Sequence, residues 1–231
     1  MSQFLVRNRG VIQLFSAATP NGIKVAACLE EIHQIDSKFH FETHSVNILQ
    51  AENRTPEFLD ICKTGKIPVI IDPHGPAGRE CTVFESGAIL LYLAEKSQEL
   101  IPNDPVLRVG MTYLNIFDII IVETINWLFW GSTGISSQFK LFGFYYKYCP
   151  HNIPYCVARY TKECNRLFEV LEKQLGHGRH YIIGGNQYTI YYIVDIHQTS
   201  NKDMYTIADL SIWPWIFGIH NNYGDAMLVI L

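Results

Sequence analysis

Apolar residues recur along this chain with two different periods, and the change from one to the other divides it. Val11–Phe15 (VIQLF) is a short apolar run with β-branched residues, bounded by small ones, which predicts a buried strand. Pro20-Asn21-Gly22 punctuates it, and a helical pattern through Ile23, Ala26, Ala27, Glu30 and Glu31 continues to about Gln34. Phe39–Val46 alternates and predicts a second strand. Thr55-Pro56 opens a short helix, with Thr55 as its cap and Pro56 at the first helical position. Ile67–Asp72 (IPVIID) reads as a third strand and Cys81–Phe84 as a fourth. Phe84–Lys96 is a strong helix whose apolar stripe is Ile89, Leu90 and Leu93. A strand that crosses through a helix to the next strand implies a parallel pair, and two adjacent later strands imply an antiparallel hairpin. The order β-α-β-α-β-β-α therefore predicts an α/β unit with a mixed sheet over residues 1–97.

Past that point the period is helical. Residues 98–106, with Pro102, Asn103, Asp104 and Pro105, read as a linker, and 107–231 as an all-α domain. The longest apolar run, Met111–Trp130, contains Asn115, Asp118, Glu123 and Asn126. Charges at membrane depth cost about 2.5–3.5 kcal/mol each, so this run predicts a buried helix rather than a membrane span. A Gly/Ser-rich, aromatic-rich stretch, Gly131–Pro150, follows it. Tyr155–Leu175 then places apolar residues at 157, 160, 164, 167, 168, 171 and 175, one helix face, and Gly176 and Gly178 end it. Thr206-Ile-Ala-Asp209 predicts a capping box with Asp in place of Glu, opening a helix over Leu210–Gly218. Asn186–Lys202 shows no clean period.

Composition narrows the function classes. The chain has 231 residues, 48% hydrophobic and 17% charged, which excludes a disordered chain. Lys plus Arg is 18 against 22 Asp plus Glu, a formal charge of −4. Without a basic balance to hold a phosphate backbone, no nucleic-acid partner is expected. Six cysteines, at 28, 62, 81, 149, 156 and 164, include no Cys-x-x-Cys. Neither a dithiol redox motif nor a metal site is expected from them. Cys28 and Cys164 fall among helix-periodic apolar residues and read as small hydrophobes. Met1–Gly10 is followed by no apolar h-region, so no signal peptide is expected and the cytoplasm is the simplest compartment.

Three local features carry chemistry together: Thr19-Pro20-Asn21-Gly22-Ile23-Lys24-Val25, Gly65-Lys66-Ile67-Pro68-Val69 and Phe84-Glu85-Ser86-Gly87-Ala88-Ile89-Leu90. In this order and within this pattern they resemble the thioredoxin-like domain of the cytosolic glutathione transferases. Arg159-Tyr160, Arg166-Leu167 and Tyr205–Trp215 are similar to that family's fifth and sixth helices. The Thr-Pro-Asn-Gly turn is similar to the nu class and to the fungal nitrogen-regulator branch. The resemblance covers about residues 11–185 and 203–220.

What the resemblance implies can be stated residue by residue. The bond between Ile67 and Pro68 is cis in the family, which opens the Ile67 backbone to the cysteinyl peptide group of glutathione. The plainer reading of Pro68 is a strand-start proline. Ser86 holds the γ-glutamyl carboxylate, aided by backbone N–H groups of a helix start, and Glu85 holds its ammonium; a plain helix cap is the alternative. Asn53 and Lys66 face the glycyl carboxylate, or else are a solvated loop residue and a surface lysine. Arg159 closes the glutathione site, or else forms a salt bridge. The reactive group is the ligand's own thiol, since only the thiolate is nucleophilic. Asn21 and Thr19 are the candidate catalytic residues that hold it, with Ser16 a lesser candidate and a turn or helix cap the bland role of Asn21. Where cysteine-type relatives carry a Cys before this proline, the chain has Thr19, so no mixed disulfide forms on the protein there. The aromatic stretch after the linker corresponds to the electrophile pocket.

The chain also departs from the family. About 17 residues, Asn186–Lys202, stand between Gly184-Gly185 and the sixth helix, as a retained intron or a true surface loop, and the C-terminal end reads as short. The function implied is a glutathione transferase that attacks small electrophiles or reduces small disulfides, with glutathione as cosubstrate and no metal, acting as a homodimer. The alternative is a non-catalytic glutathione-binding regulator of the nitrogen-regulator type. Against it, the ten residues ahead of the first strand are not an Asn/Gln-rich tail.

Overall fold

The computed structural model describes residues 10–101, 116–176, 179–183 and 205–223. The chain divides into two compact units, 1–99 and 100–231. The linker residues from 102 on, the stretch 186–202 and the end past 223 lie outside the described residues.

The first unit follows the expected order. Strands β1 (Ile12–Ser16), β2 (Phe41–Ser45), β3 (Val69–Asp72) and β4 (Cys81–Phe84) form one sheet in the order β2-β1-β3-β4. β1 and β2 are parallel, in the register Ser16 to Ser45, because helix α1 (Pro20–Ile35) carries the chain back between them. β3 is antiparallel to both β1 and β4. β1 and β3 are buried at every position, as central strands packed on both faces must be. Helix α2 (Pro56–Ile61) starts as its sequence predicts, with the Thr55 hydroxyl accepting from the Phe58 N–H and Pro56 in the first turn. Helix α3 (Ser86–Ser97) buries Ile89, Leu90 and Leu93 completely.

Helix α1 differs from the sequence reading in the face it buries. Ile23 is exposed, and the inward face is Gly22, Lys24, Val25, Cys28, Leu29 and Ile32. The alanines mark a flank of the helix; the bulkier side chains one position away fill the core.

At the far end of the β3–β4 hairpin, Asp72 is buried and heavily bonded. Its carboxylate accepts from the Tyr92 hydroxyl at 2.6 Å and the His74 N–H at 2.8 Å, and it pairs with Lys96 at 2.9 Å. Burial pushes the Asp72 carboxyl up, but these hydrogen bonds and the Lys96 charge outweigh it and hold the group below the usual carboxylate range. The same contact and its burial raise the Tyr92 phenol, which stays protonated.

The second unit is helical throughout its longer described stretches. Helix α4 (Ile116–Phe129) runs through a π-helical segment, Trp130–Ile135, into α5 (Ser136–Gly143) and a second π-helical segment, Phe144–Tyr148. The Gly/Ser-rich, aromatic-rich stretch is therefore continuous helix up to Tyr148. Its aromatics supply the burial that its weak helix propensity lacks: Phe139 and Phe142 are in the core, and Phe139 meets Phe168 edge to face at 5.2 Å. Helix α6 (Pro154–Leu175) buries Cys164, Leu167 and Leu171, the stripe its spacing predicts. Gly131 lets α7 (Ile207–Tyr223) approach, since a Cβ there would collide with Ser211.

Asp209 builds the expected capping box. Its carboxylate accepts from the Thr206 N–H at 2.9 Å and the Thr206 hydroxyl at 3.2 Å, while Thr206 Oγ1 accepts from the Ala208 N–H at 3.2 Å. The other Asp209 oxygen takes the Ile182 N–H at 2.9 Å, which ties the segment before α7 to the helix start.

Two stability predictions follow from these carboxylates. Asp209→Ala leaves buried backbone N–H groups of Thr206 and Ile182 without their acceptor and should cost about 2–4 kcal/mol in denaturant unfolding; an effect inside experimental error contradicts the capping role. For Asp72, a depressed carboxylate stabilises the fold above the unfolded value and loses that contribution as pH falls through the folded one. Asp72→Asn should therefore lower the melting temperature at neutral pH, and the difference should shrink as pH falls below roughly 4, the ordinary aspartate range. A pH-independent difference would show that the charge is not what matters.

Candidate functional site

Strand register brings the three chemical motifs to one end of the first sheet. Val69 pairs with Phe15 on β1 and with Phe84 on β4. The residues just past those pairs are Ser16 to Thr19, Ile67-Pro68 and Glu85-Ser86, so all three segments leave the same sheet edge together. The Ile67–Pro68 peptide is cis, and Ile67 is half-buried.

Thr19 caps α1. Its Oγ1 accepts from the Gly22 N–H at 3.2 Å, and Pro20 fills the first turn, where its missing N–H costs nothing. The hydroxyl's own proton is not used in that bond. Gly22 must be glycine, because a Cβ would strike the Ala17 carbonyl and Ser16 Oγ; the first turn of α1 lies hard against the end of β1. Ser16 is buried, and its Oγ lies within reach of the Ala17 carbonyl at 3.4 Å. It sits behind the turn rather than at its mouth.

Ser86, almost fully buried, directs its Oγ toward Asn21 Oδ1 at 3.5 Å, the outer limit of a hydrogen bond. The contact joins the starts of α1 and α3, two helix N-termini whose first N–H groups have no intrahelical acceptor. Glu85 is exposed and holds φ 69°, ψ 118°, a conformation rare for a residue with a side chain. Its carbonyl still accepts the first helical bond, from Ile89 at 2.9 Å.

Asn53 lies beside the same edge by another route. Its amide donates to the Gly65 carbonyl at 2.6 Å and fastens the loop that carries Lys66 and Ile67. Lys66 is exposed on that loop. The structure thus brings Thr19, Asn21, Ile67, Glu85 and Ser86 to one sheet end, with Asn53 and Lys66 on the adjoining loop. Arg159 is exposed on α6, in the second unit.

The described thiols of the first unit are not at that edge as nucleophiles. Cys28 is fully buried, and burial together with Glu31 pushes its thiol up to about 12. Cys62 is buried in the cluster around Phe58. Cys81 pairs with Asp72 at the opposite end of the hairpin. Among the described residues no group of three or more metal-ligating side chains occurs, and no helix is long and apolar enough to cross a membrane.

A mixed four-stranded sheet of this order, with a cis-proline beside the start of a helix, defines a thioredoxin-like domain. Residues 10–95 match the glutathione S-transferase N-terminal domain. The chain is 35% identical over 206 residues to the disulfide-bond oxidoreductase YghU of Escherichia coli, covering 88% of this chain and 59% of YghU. It is 30% identical over 217 residues to the transcriptional regulator URE2 of Saccharomyces cerevisiae, covering 87% of this chain and 57% of URE2. A glutathione transferase family member from Pseudomonas fluorescens, crystallised with two glutathione bound, superposes with a TM-score of 0.75 at 36% identity, over 95% of this chain and 82% of that one. The chain belongs to the glutathione S-transferase superfamily, and it spans under three fifths of the length of both YghU and URE2.

The backbone of Glu85 yields a prediction of its own. Glycine adopts a positive φ without steric cost, so Glu85→Gly should raise stability by about 1 kcal/mol, read as a higher melting temperature. A lower melting temperature would show that the conformation carries no strain.

Proposed function

We propose that the chain binds glutathione at this sheet end and uses its thiolate to reduce small disulfides or to attack small electrophiles. The observation that carries the reading is the convergence of Asn21, the cis-proline loop and Ser86 on one edge, which offers a backbone strand, two helix N-termini and an amide to a short acidic peptide. In this reading the Ile67 backbone pairs with the cysteinyl residue. Ser86 takes the γ-glutamyl carboxylate and Glu85 its ammonium. Lys66 attracts the glycyl carboxylate, and Asn53 acts through the loop it fastens. YghU and the glutathione-bound Pseudomonas structure support the substrate assignment.

Magnitudes decide what must hold the sulfur. A free thiol ionises near 8.5, roughly a tenth or less thiolate at pH 7. A helix N-terminus is worth about 0.3–1 kcal/mol, under one pH unit. The dipole of α1 alone is too weak. Hydrogen bonds from the Asn21 amide and the Thr19 hydroxyl to the sulfur supply the remainder, since charge-assisted bonds are about twice as strong as neutral ones.

Disulfide reduction then runs without a protein thiol. The bound thiolate attacks one sulfur of the disulfide, the S–S bond breaks, and the departing thiolate takes a proton from water. A second glutathione thiolate attacks the mixed disulfide, releasing the second thiol and glutathione disulfide. Conjugation uses the same first nucleophile on a carbon electrophile. A cytosolic homodimer accompanies this reading. The resemblance to URE2 favours a regulator as the second reading, in which glutathione binds without turnover.

Steady-state assays with glutathione and a small dialkyl disulfide or a chloronitrobenzene separate the two. Turnover above the uncatalysed rate is expected. Asn21→Ala should lower kcat by about tenfold or more while glutathione affinity changes less, as for a group that acts on developing or resident charge. Equal loss of both would make Asn21 a structural turn residue, and binding with no turnover would favour the regulator.

A further inference from the structure

Lys24 is a buried charge that the fold does not explain. Its side chain is completely inaccessible, and its Nζ has no hydrogen-bond partner. Lysine is almost never fully buried unless paired. It stands at the fifth position of α1, on the face that packs into the core. Burial alone pushes its ammonium down, to about 8, and no neighbouring charge offsets that.

Among the described residues of its own unit no carboxylate bonds to it. On α1, Glu30 and Glu31 are exposed one and a half to two turns further on, and Cys28 stays a neutral thiol. On α3, which packs against α1, Glu85 and Glu95 are exposed, Lys96 is committed to Asp72, and Tyr92 donates to the same carboxylate. β1 carries no ionisable group.

Helix geometry says what the ammonium is near. Lys24 and Asn21 are i+3 neighbours, about 5–6 Å apart at Cβ, and helical side chains lean toward the N-terminus, so Lys24 covers the turn that holds Asn21 and Thr19. We propose that Lys24 is a positioning residue whose buried ammonium supplies a fixed positive field behind the Thr19–Asn21 turn and holds the bound glutathione sulfur as thiolate. The inference rests on the glutathione reading above. In this reading the counter-charge of the ammonium is the ligand's sulfur. A field from within the low-dielectric interior acts on the sulfur without needing contact.

The test compares the parent with Lys24→Met, which keeps the stem and removes the charge. S-methylglutathione has no ionisable sulfur, so both proteins should bind it alike by calorimetry. The ionisation midpoint of bound glutathione, read by ultraviolet thiolate absorbance, should rise by about one pH unit in Lys24→Met, the low end of the effect of an opposite charge nearby. An unchanged midpoint overturns the role of Lys24 and leaves the binding site standing. If the parent binds no S-methylglutathione, the site and the inference fall together. The unaltered protein provides a check independent of the variant's folding. By reciprocity of coupled sites, glutathione should raise the midpoint of Lys24 itself in a carbon-detected NMR titration of its ε-methylene, and S-methylglutathione should not. Equal midpoints with the two ligands overturn the proposal.

Discussion

Val69 stands in register with Phe15 on one side and Phe84 on the other, and that double pairing sets everything functional in the first unit. Because β3 is antiparallel to both neighbours, its start lies beside the end of β1 and the end of β4. Two helices begin there, and the cis-proline loop enters between them. A one-residue slip of β3 would move each side chain to the opposite packed face, so the register is fixed by the same apolar residues that make the core. Core and site are one constraint here: Val69, Ile70 and Ile71 hold the sheet, and the sheet holds the edge.

The polar groups at that edge are tied to one another by few and long contacts. Thr19 spends an oxygen lone pair on its own helix and keeps its proton. Asn21 and Ser86 meet only at 3.5 Å, a loose contact that a stronger ligand hydrogen bond can replace. Glu85 is held at positive φ. Lys24 is buried with nothing to pair with. Each of these is a cost to the bare protein, and the buried ammonium is the largest of them. On the proposed reading they form a surface preorganised for an anionic peptide, the arrangement that electrostatic stabilisation of a thiolate requires.

Much of the fold could be read from the sequence because its periods are clean. The strands of the first unit, the Thr55 cap, the α3 stripe and the α6 face each repeat a local rule that tertiary contacts then obey. The Asp209 capping box was legible from Thr206 and Asp209 alone, although its second bond, to Ile182, was not, since no local pattern marks a partner 27 residues away. Two features escaped. Gly131–Tyr148 is helical against its propensity, because Phe139, Phe142 and Gly131 pack where a helix is needed. The buried face of α1 includes a lysine, which no apolar periodicity can flag. At the site, the residues of the edge were visible as motifs, but the bond from the Asn53 amide to the Gly65 carbonyl was not, since no local pattern marks a partner 12 residues away.

Because the account turns on a peptide lying along that edge, backbone amide NMR with and without glutathione addresses it most directly. The N–H resonances of Ile67, Ser86 and Gly87 should shift on titration, with those around Cys81 and Asp72 at the opposite end of the hairpin unmoved. Shifts confined to the Cys81 end, or none at all, would contradict the account.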